Sequence, residues 1–164
     1  MATFVILPDA TTSNDWSVTG SSAHEALADG ATSSYISSGT NGADCQLTFA
    51  NPSVAEGDID SISEYRMYIK GHLHARGSGG SSVIFSDGTS DSTETLNNRA
   101  HPELIETHRV TSAPIAYSTI EGLTFRALKQ DTASPTKITY AYVIVYYTEA
   151  TTVTENATFF GTNF

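Results

Sequence analysis

The chain has 164 residues, of which 39% are hydrophobic and only 16% charged, with Ser, Thr, Gly and Asn filling much of the remainder. That length supports one core of ordinary domain size rather than two, and the composition suits short strands joined by polar turns better than a helical bundle. Eight Lys and Arg stand against eighteen Asp and Glu, a formal net charge of −10. Such a surface repels phosphate backbones and anionic headgroups, so neither nucleic acid nor membrane is an expected partner.

Cys45 is the only cysteine, which excludes an intramolecular disulfide and any cysteine-based zinc site within one chain. It lies in the strand-like run Asp44-Cys45-Gln46-Leu47-Thr48-Phe49 and reads as a buried structural thiol. The N-terminal Met1–Pro8 run lacks a basic region and is too short an apolar stretch for a signal peptide. No stretch approaches the ~20 apolar residues of a membrane span. The expectation is a protein folded in a cytoplasm.

In chain order, residues 3–7 form an apolar, β-branched strand that Pro8-Asp9 closes with a turn. A short strand at 15–19 carries Trp16, and residues 24–30 make the best helical segment, barely two turns long. Residues 34–37 and 44–49 read as two further short strands. The period-two pattern is clearest over 59–75, where Ser63, Tyr65, Met67, Ile69 and Leu73 share one face. Ile62, Glu64, Arg66, Tyr68, Lys70, His72 and His74 share the other, wetted face. A glycine-rich turn at 76–81 is expected to return the chain as a hairpin through Ser82–Ser86.

Residues 87–99 read as an exposed edge loop, 103–111 as a strand, 118–122 as a single helical turn and 123–129 as another strand. The longest apolar strand is 137–148, in which Ile138, Tyr140, Tyr142, Ile144 and Tyr146 alternate with Thr139, Ala141, Val143, Val145 and Tyr147. Apolar on both faces, it is expected to be central or covered on both sides. About eight strands with almost no helix predict an all-β, jelly-roll-type antiparallel sandwich over residues 1–148. Residues 149–164 form a C-terminal extended arm whose Phe159, Phe160 and Phe164 either fold back or dock on a neighbouring subunit. The docking reading is the one carried forward, with these three as partner-binding residues.

Chemistry leaves few traces. His72 and His74, two apart on one strand face, could share a metal. Without an HExxH motif they read first as polar residues on a wetted face, and no cofactor is expected. Asp87-Gly88-Thr89-Ser90-Asp91 lacks the spacing of a calcium loop. No GxSxG, phosphate-binding glycine loop or GxGxxG occurs, so the chain is read as no enzyme. Trp16 and the tyrosines could stack on sugar rings, or fill the core. Tyr68, beside Arg66 and Lys70, is the best exposed candidate, and Trp16 with Tyr68 forms the carbohydrate-binding alternative.

Leu7-Pro8-Asp9-Ala10, Asp15-Trp16-Ser17-Val18-Thr19-Gly20, Ala26-Leu27-Ala28-Asp29-Gly30, Ser33-Ser34-Tyr35-Ile36 and Ile59-Asp60-Ser61-Ile62 follow one another in the chain, and 139–147 close it with a tyrosine-rich strand. This order resembles the jelly-roll module of structural proteins in tailed-phage virions. The resemblance spans residues 7–147 and implies a virion component, either a head decoration (cement) protein or a small tail or fibre module. It implies an outer capsid surface location, made in the host cytoplasm, with the major capsid protein and further copies of itself as partners, in a trimer or dimer. Carbohydrate-binding sandwiches are similar in architecture, so glycans are the alternative ligand. The arm departs from the module's pattern and inherits no role from it.

Overall fold

The computed structural model describes residues 1–73, 81–88, 91–96, 103–111, 113–130, 132 and 135–151. Among them are eleven strands and two short helices. The strands are β1 (Ala2–Ile6), β2 (Pro8–Asn14), β3 (Ser17–Thr19), β4 (Tyr35–Ser38), β5 (Asp44–Phe49), β6 (Ile59–Leu73), β7 (Ser81–Ser86), β8 (Asp91–Leu96), β9 (Glu103–Val110), β10 (Thr124–Lys129) and β11 (Thr136–Glu149). Helix α1 spans Ala23–Ala28 and α2 spans Tyr117–Glu121.

Two antiparallel sheets form. Sheet A has the order β3-β4-β11-β6-β9, with β1 pairing β11 off that path, and sheet B has the order β2-β5-β10-β7-β8. Eight of these strands, β4 through β11, trace a jelly roll. In that stretch every connection crosses between sheets except β7 to β8, giving the four-strand layers β4-β11-β6-β9 and β5-β10-β7-β8. Seven of the strands expected from sequence fall in this roll, β4 to β7 and β9 to β11, and two more are β1 and β3; β1, β2 and β3 lie outside the roll.

Inward positions fill one core. Ile36, Met67, Ile69, Val143 and Val145 from sheet A meet Leu47, Val83, Phe85 and Phe125 from sheet B, all buried. Phe125 packs edge-on against Phe85 at 5.3 Å. Helix α1 covers the core margin with Ala23, Ala26 and Leu27. Its Ser22 hydroxyl caps the N-terminus, accepting from the Glu25 N–H at 3.3 Å and donating to the Glu25 carboxylate at 2.9 Å.

Several expectations are corrected. Pro8 opens strand β2 instead of closing a turn, which is tolerated because it is the first residue of an edge strand and has no N–H to pair. The chain passes from β1 in sheet A to β2 in sheet B at Leu7. Strands β6 and β7 form no hairpin, because they lie in different sheets and β7 pairs β10 and β8. Part of the segment expected as an edge loop is strand β8. Strand β11 is central as expected, between β6 on one side and β4 and β1 on the other, and only one of its faces is covered, since 139, 141, 143, 145 and 147 are buried while 140, 142, 144 and 146 are half-exposed.

Three bulges explain where the period-two reading slips. Register shifts leave Ser63 on β6, Thr107 on β9 and Thr139 on β11 as extra residues. Each hydroxyl donates to a carbonyl of the strand opposite, Ser63 to Tyr146 at 3.3 Å, Thr107 to Met67 at 3.2 Å and Thr139 to Lys70 at 3.1 Å. A side chain thus supplies a donor where the ladder is interrupted. The first bulge also moves Ile62 from its predicted wetted face into the core, two percent exposed, in phase with Tyr65.

Candidate functional site

Alternation on sheet A turns one set of side chains outward. Strand β11 contributes Lys137, Tyr140, Tyr142, Ile144 and Tyr146, and β6 contributes Glu64, Arg66, Tyr68 and Lys70. Across β6 lie Leu104, Glu106 and Arg109 of β9, in register with Lys70, Tyr68 and Arg66 respectively. On the far side Val5 of β1 pairs with Ile144. The exposed large hydrophobics among the described residues are Met1, Val5 at 50% and Leu104 at 53%. Val5 and Leu104 flank the aromatic row on opposite edge strands.

The tyrosines are arranged as a layer. Tyr142 lies between Tyr68, stacked at 5.0 Å and 11°, and Tyr140, tilted by 34° at 4.8 Å. Gly30 backs Tyr140 so closely that a Cβ there would touch the ring at 3.5 Å. The Arg66 guanidinium covers Tyr146 at 4.9 Å, and the Lys137 ammonium covers Tyr35 at 3.5 Å. Ionic contacts lock the row laterally. Glu64 pairs with both Arg66 and Arg109, Arg66 reaches Glu106 at 3.8 Å, and the Tyr68 hydroxyl donates to Glu106 at 2.9 Å. The hydrogen bond from Arg66, reinforced by Arg109, holds the Glu64 carboxyl below its usual range. Burial raises the Tyr142 phenol above its ordinary value, so it remains neutral.

This geometry bears on each candidate from sequence. Tyr68 is on the outer face as expected. Trp16 is corrected from sugar platform to core, since it is three percent exposed and its indole N–H donates to the Ala43 carbonyl at 3.1 Å. A ring so enclosed has no face to offer a ligand. His72 is placed by its backbone opposite Lys137 in β6, while His74 and the aromatic arm residues Phe159, Phe160 and Phe164 lie outside the described residues. No group of three or more His, Cys, Asp or Glu suited to a metal occurs among the described residues. Tyr140, Tyr142 and Tyr146, weighed between sugar stacking and core, lie on the outer face, and Val5 and Leu104 are the residues missed. The signal for the row was present in β11, whose tyrosines at 140, 142 and 146 share one face by simple alternation.

Cavities lie elsewhere. One of about 140 Å³ is lined by Ile59, Asp60, Ile62, Ile115 and Tyr117, at the start of β6. Another of about 380 Å³ opens beside Met1, Ala2, Thr148 and Glu149. Neither is lined by residues of the tyrosine row. No protein-family model matches the chain, and no curated protein matches it in sequence.

Proposed function

We propose that this chain is a non-enzymatic virion structural protein, an outer capsid decoration protein that binds and stabilises the major capsid shell. The carrying observation is the outer face of sheet A, a flat row of tyrosines and arginines flanked by exposed Val5 and Leu104. Tyrosine and arginine are the residues that dominate protein–protein hot spots, and an exposed apolar patch on an otherwise polar sandwich favours a partner. The row is held in place before any partner arrives, by stacking and by Glu64 and Glu106, which lowers the ordering cost of binding. The jelly roll and the resemblance of residues 7–147 to phage structural modules supply the particle context.

The alternative, a lectin-like module of a tail or fibre, draws support from Tyr68 alone. It is weakened because Tyr35, Tyr68, Tyr140, Tyr142 and Tyr146 each have a ring face taken up by a neighbour. A sugar needs an open ring face, whereas a protein surface can pack against ring edges and hydroxyls. Cryo-electron microscopy of this protein mixed with the structural proteins encoded beside it tests the choice. Ordered density on an icosahedral shell, with sheet A facing it, is expected. Density confined to a tail, together with binding on a glycan array that Tyr68→Ala abolishes, would replace the decoration reading with the lectin one.

A further inference from the structure

The outer face of sheet A carries charge of the opposite sign to the chain. Arg66, Lys70, Arg109 and Lys137 place four of the eight Lys and Arg on it, in a chain of net charge −10. The described carboxylates interleaved with them are Glu64 and Glu106, and both are occupied within the face. The outer face of sheet B has the reverse balance, with Asp9, Asp44 and Asp91 against Arg126.

Lys70 and Lys137 decide what such a face wants. Neither has an ion pair among the described residues. Lys137 rests on Tyr35, and Lys70 sits in register between Tyr140 and the exposed Leu104. Two ammonium groups with no carboxylate partner among the described residues, beside apolar surface, are matched by carboxylates on an incoming surface. Pairing this face with its own copy about a two-fold axis would bring two net-positive surfaces together, so a second copy in that arrangement is disfavoured.

We infer that the outer face of sheet A docks on an acidic protein surface, with Lys70 and Lys137 meeting its carboxylates, the tyrosine row forming the centre and Leu104 packing at its edge. This rests on the decoration reading and names the chemistry of the shell surface that reading requires. The net negative charge of the chain does not forbid it. Screening acts over about 8 Å at physiological salt, and the acidic face of sheet B stands a full sandwich away, with sheets about 10 Å apart.

The test uses shells assembled from the major capsid protein encoded beside this chain, with binding read by co-sedimentation across a salt series. Wild type is expected to bind less tightly as salt rises. The paired reversal Lys70→Glu with Lys137→Glu is expected to weaken binding about tenfold or more, whereas Asp9→Lys with Asp91→Lys on sheet B changes it less than about twofold. Thermal melts of both double variants check that they fold. Wild type bound to shells, with the lysine reversal also within about twofold, overturns this inference and leaves the decoration reading standing. Failure of wild type to bind shells removes the decoration reading and this inference together. Retention of wild type on an anionic glycan array in place of shells overturns it in favour of a polysaccharide ligand.

Discussion

Tyr68 on β6 and Tyr142 on β11 are direct register partners, and their rings stack 5.0 Å apart at 11°. The pair joins the two longest strands of sheet A at the centre of its outer face. An aromatic pair of this kind contributes roughly 0.5–1.5 kcal/mol beyond its buried area. Removing Tyr142 takes away the middle ring of three, so Tyr142→Ala is expected to cost about 1–2 kcal/mol of stability. Tyr68→Phe keeps the stack and loses the exposed hydroxyl's contacts with Glu106 and Arg66, a cost of under about 1 kcal/mol. Urea denaturation of both variants checks this. Equal losses would mean that the ring, as opposed to the hydroxyl, contributes nothing special.

The bulge hydroxyls make a second prediction. Thr139 is two percent exposed and Thr107 nine percent, so the donors of their hydrogen bonds to the Lys70 and Met67 carbonyls are buried. Thr139→Val keeps the shape and removes the donor, and is expected to cost about 1–3 kcal/mol because the carbonyl loses a buried partner. Ser63→Ala, at a half-exposed bulge where water can substitute, should cost under about 1 kcal/mol. Denaturant midpoints that rank Ser63→Ala above Thr139→Val in damage would sink the idea that these hydroxyls repair the ladder.

Much of the fold was readable because alternation and turn chemistry act locally. Strand β5 was read at its observed bounds, Asp44–Phe49, since its inward Cys45, Leu47 and Phe49 alternate with polar residues throughout. The errors share one cause, which is that pairing is non-local. Nothing between Leu73 and Ser81 reveals that the chain crosses to the other sheet, and a glycine-rich turn reads the same whether it closes a hairpin or spans a sandwich. Ile62 was misplaced because a bulge residue such as Ser63 looks like any other polar strand residue. Trp16 was ambiguous between core and platform because only the fold puts the Ala43 carbonyl within reach of its N–H. The candidate face was half legible. The tyrosines of β11 alternate in plain view, but their meeting with Tyr68, Arg66 and Leu104 depends on a strand order that no local pattern encodes.

Cys45 offers a probe of sheet B. Its side chain is fully buried on β5 between β2 and β10, and burial, with Asp44 and Asp15 adding, pushes the thiol up to about 12. The thiolate is the reactive species, so the native thiol should be inert at neutral pH. Labelling by an aromatic disulfide reagent is expected to follow opening of the sandwich and to finish quickly only in denaturant. Fast stoichiometric labelling in native buffer would mean that sheet B opens at the β2 edge without global unfolding.

Asp44 sets an expectation for acid. Burial pushes its carboxyl up, but hydrogen bonds from Arg126 at 2.9 Å and Gln46 at 2.7 Å, with the Arg126 charge, outweigh that and leave it below the ordinary value of 3.8. The unfolded chain therefore takes up this proton at higher pH than the folded one. Its contribution is fully present above the unfolded value and is lost as pH falls through the lower, folded value. Glu64 behaves in the same sense through Arg66 and Arg109. Asp44→Asn removes the titrating group, so the variant should be less stable than wild type near neutral pH, and the gap should narrow below about pH 4. Thermal melts at stepped pH read the gap directly. A gap that widens on acidification would require the Asp44 carboxyl to be raised on folding, with burial winning over Arg126.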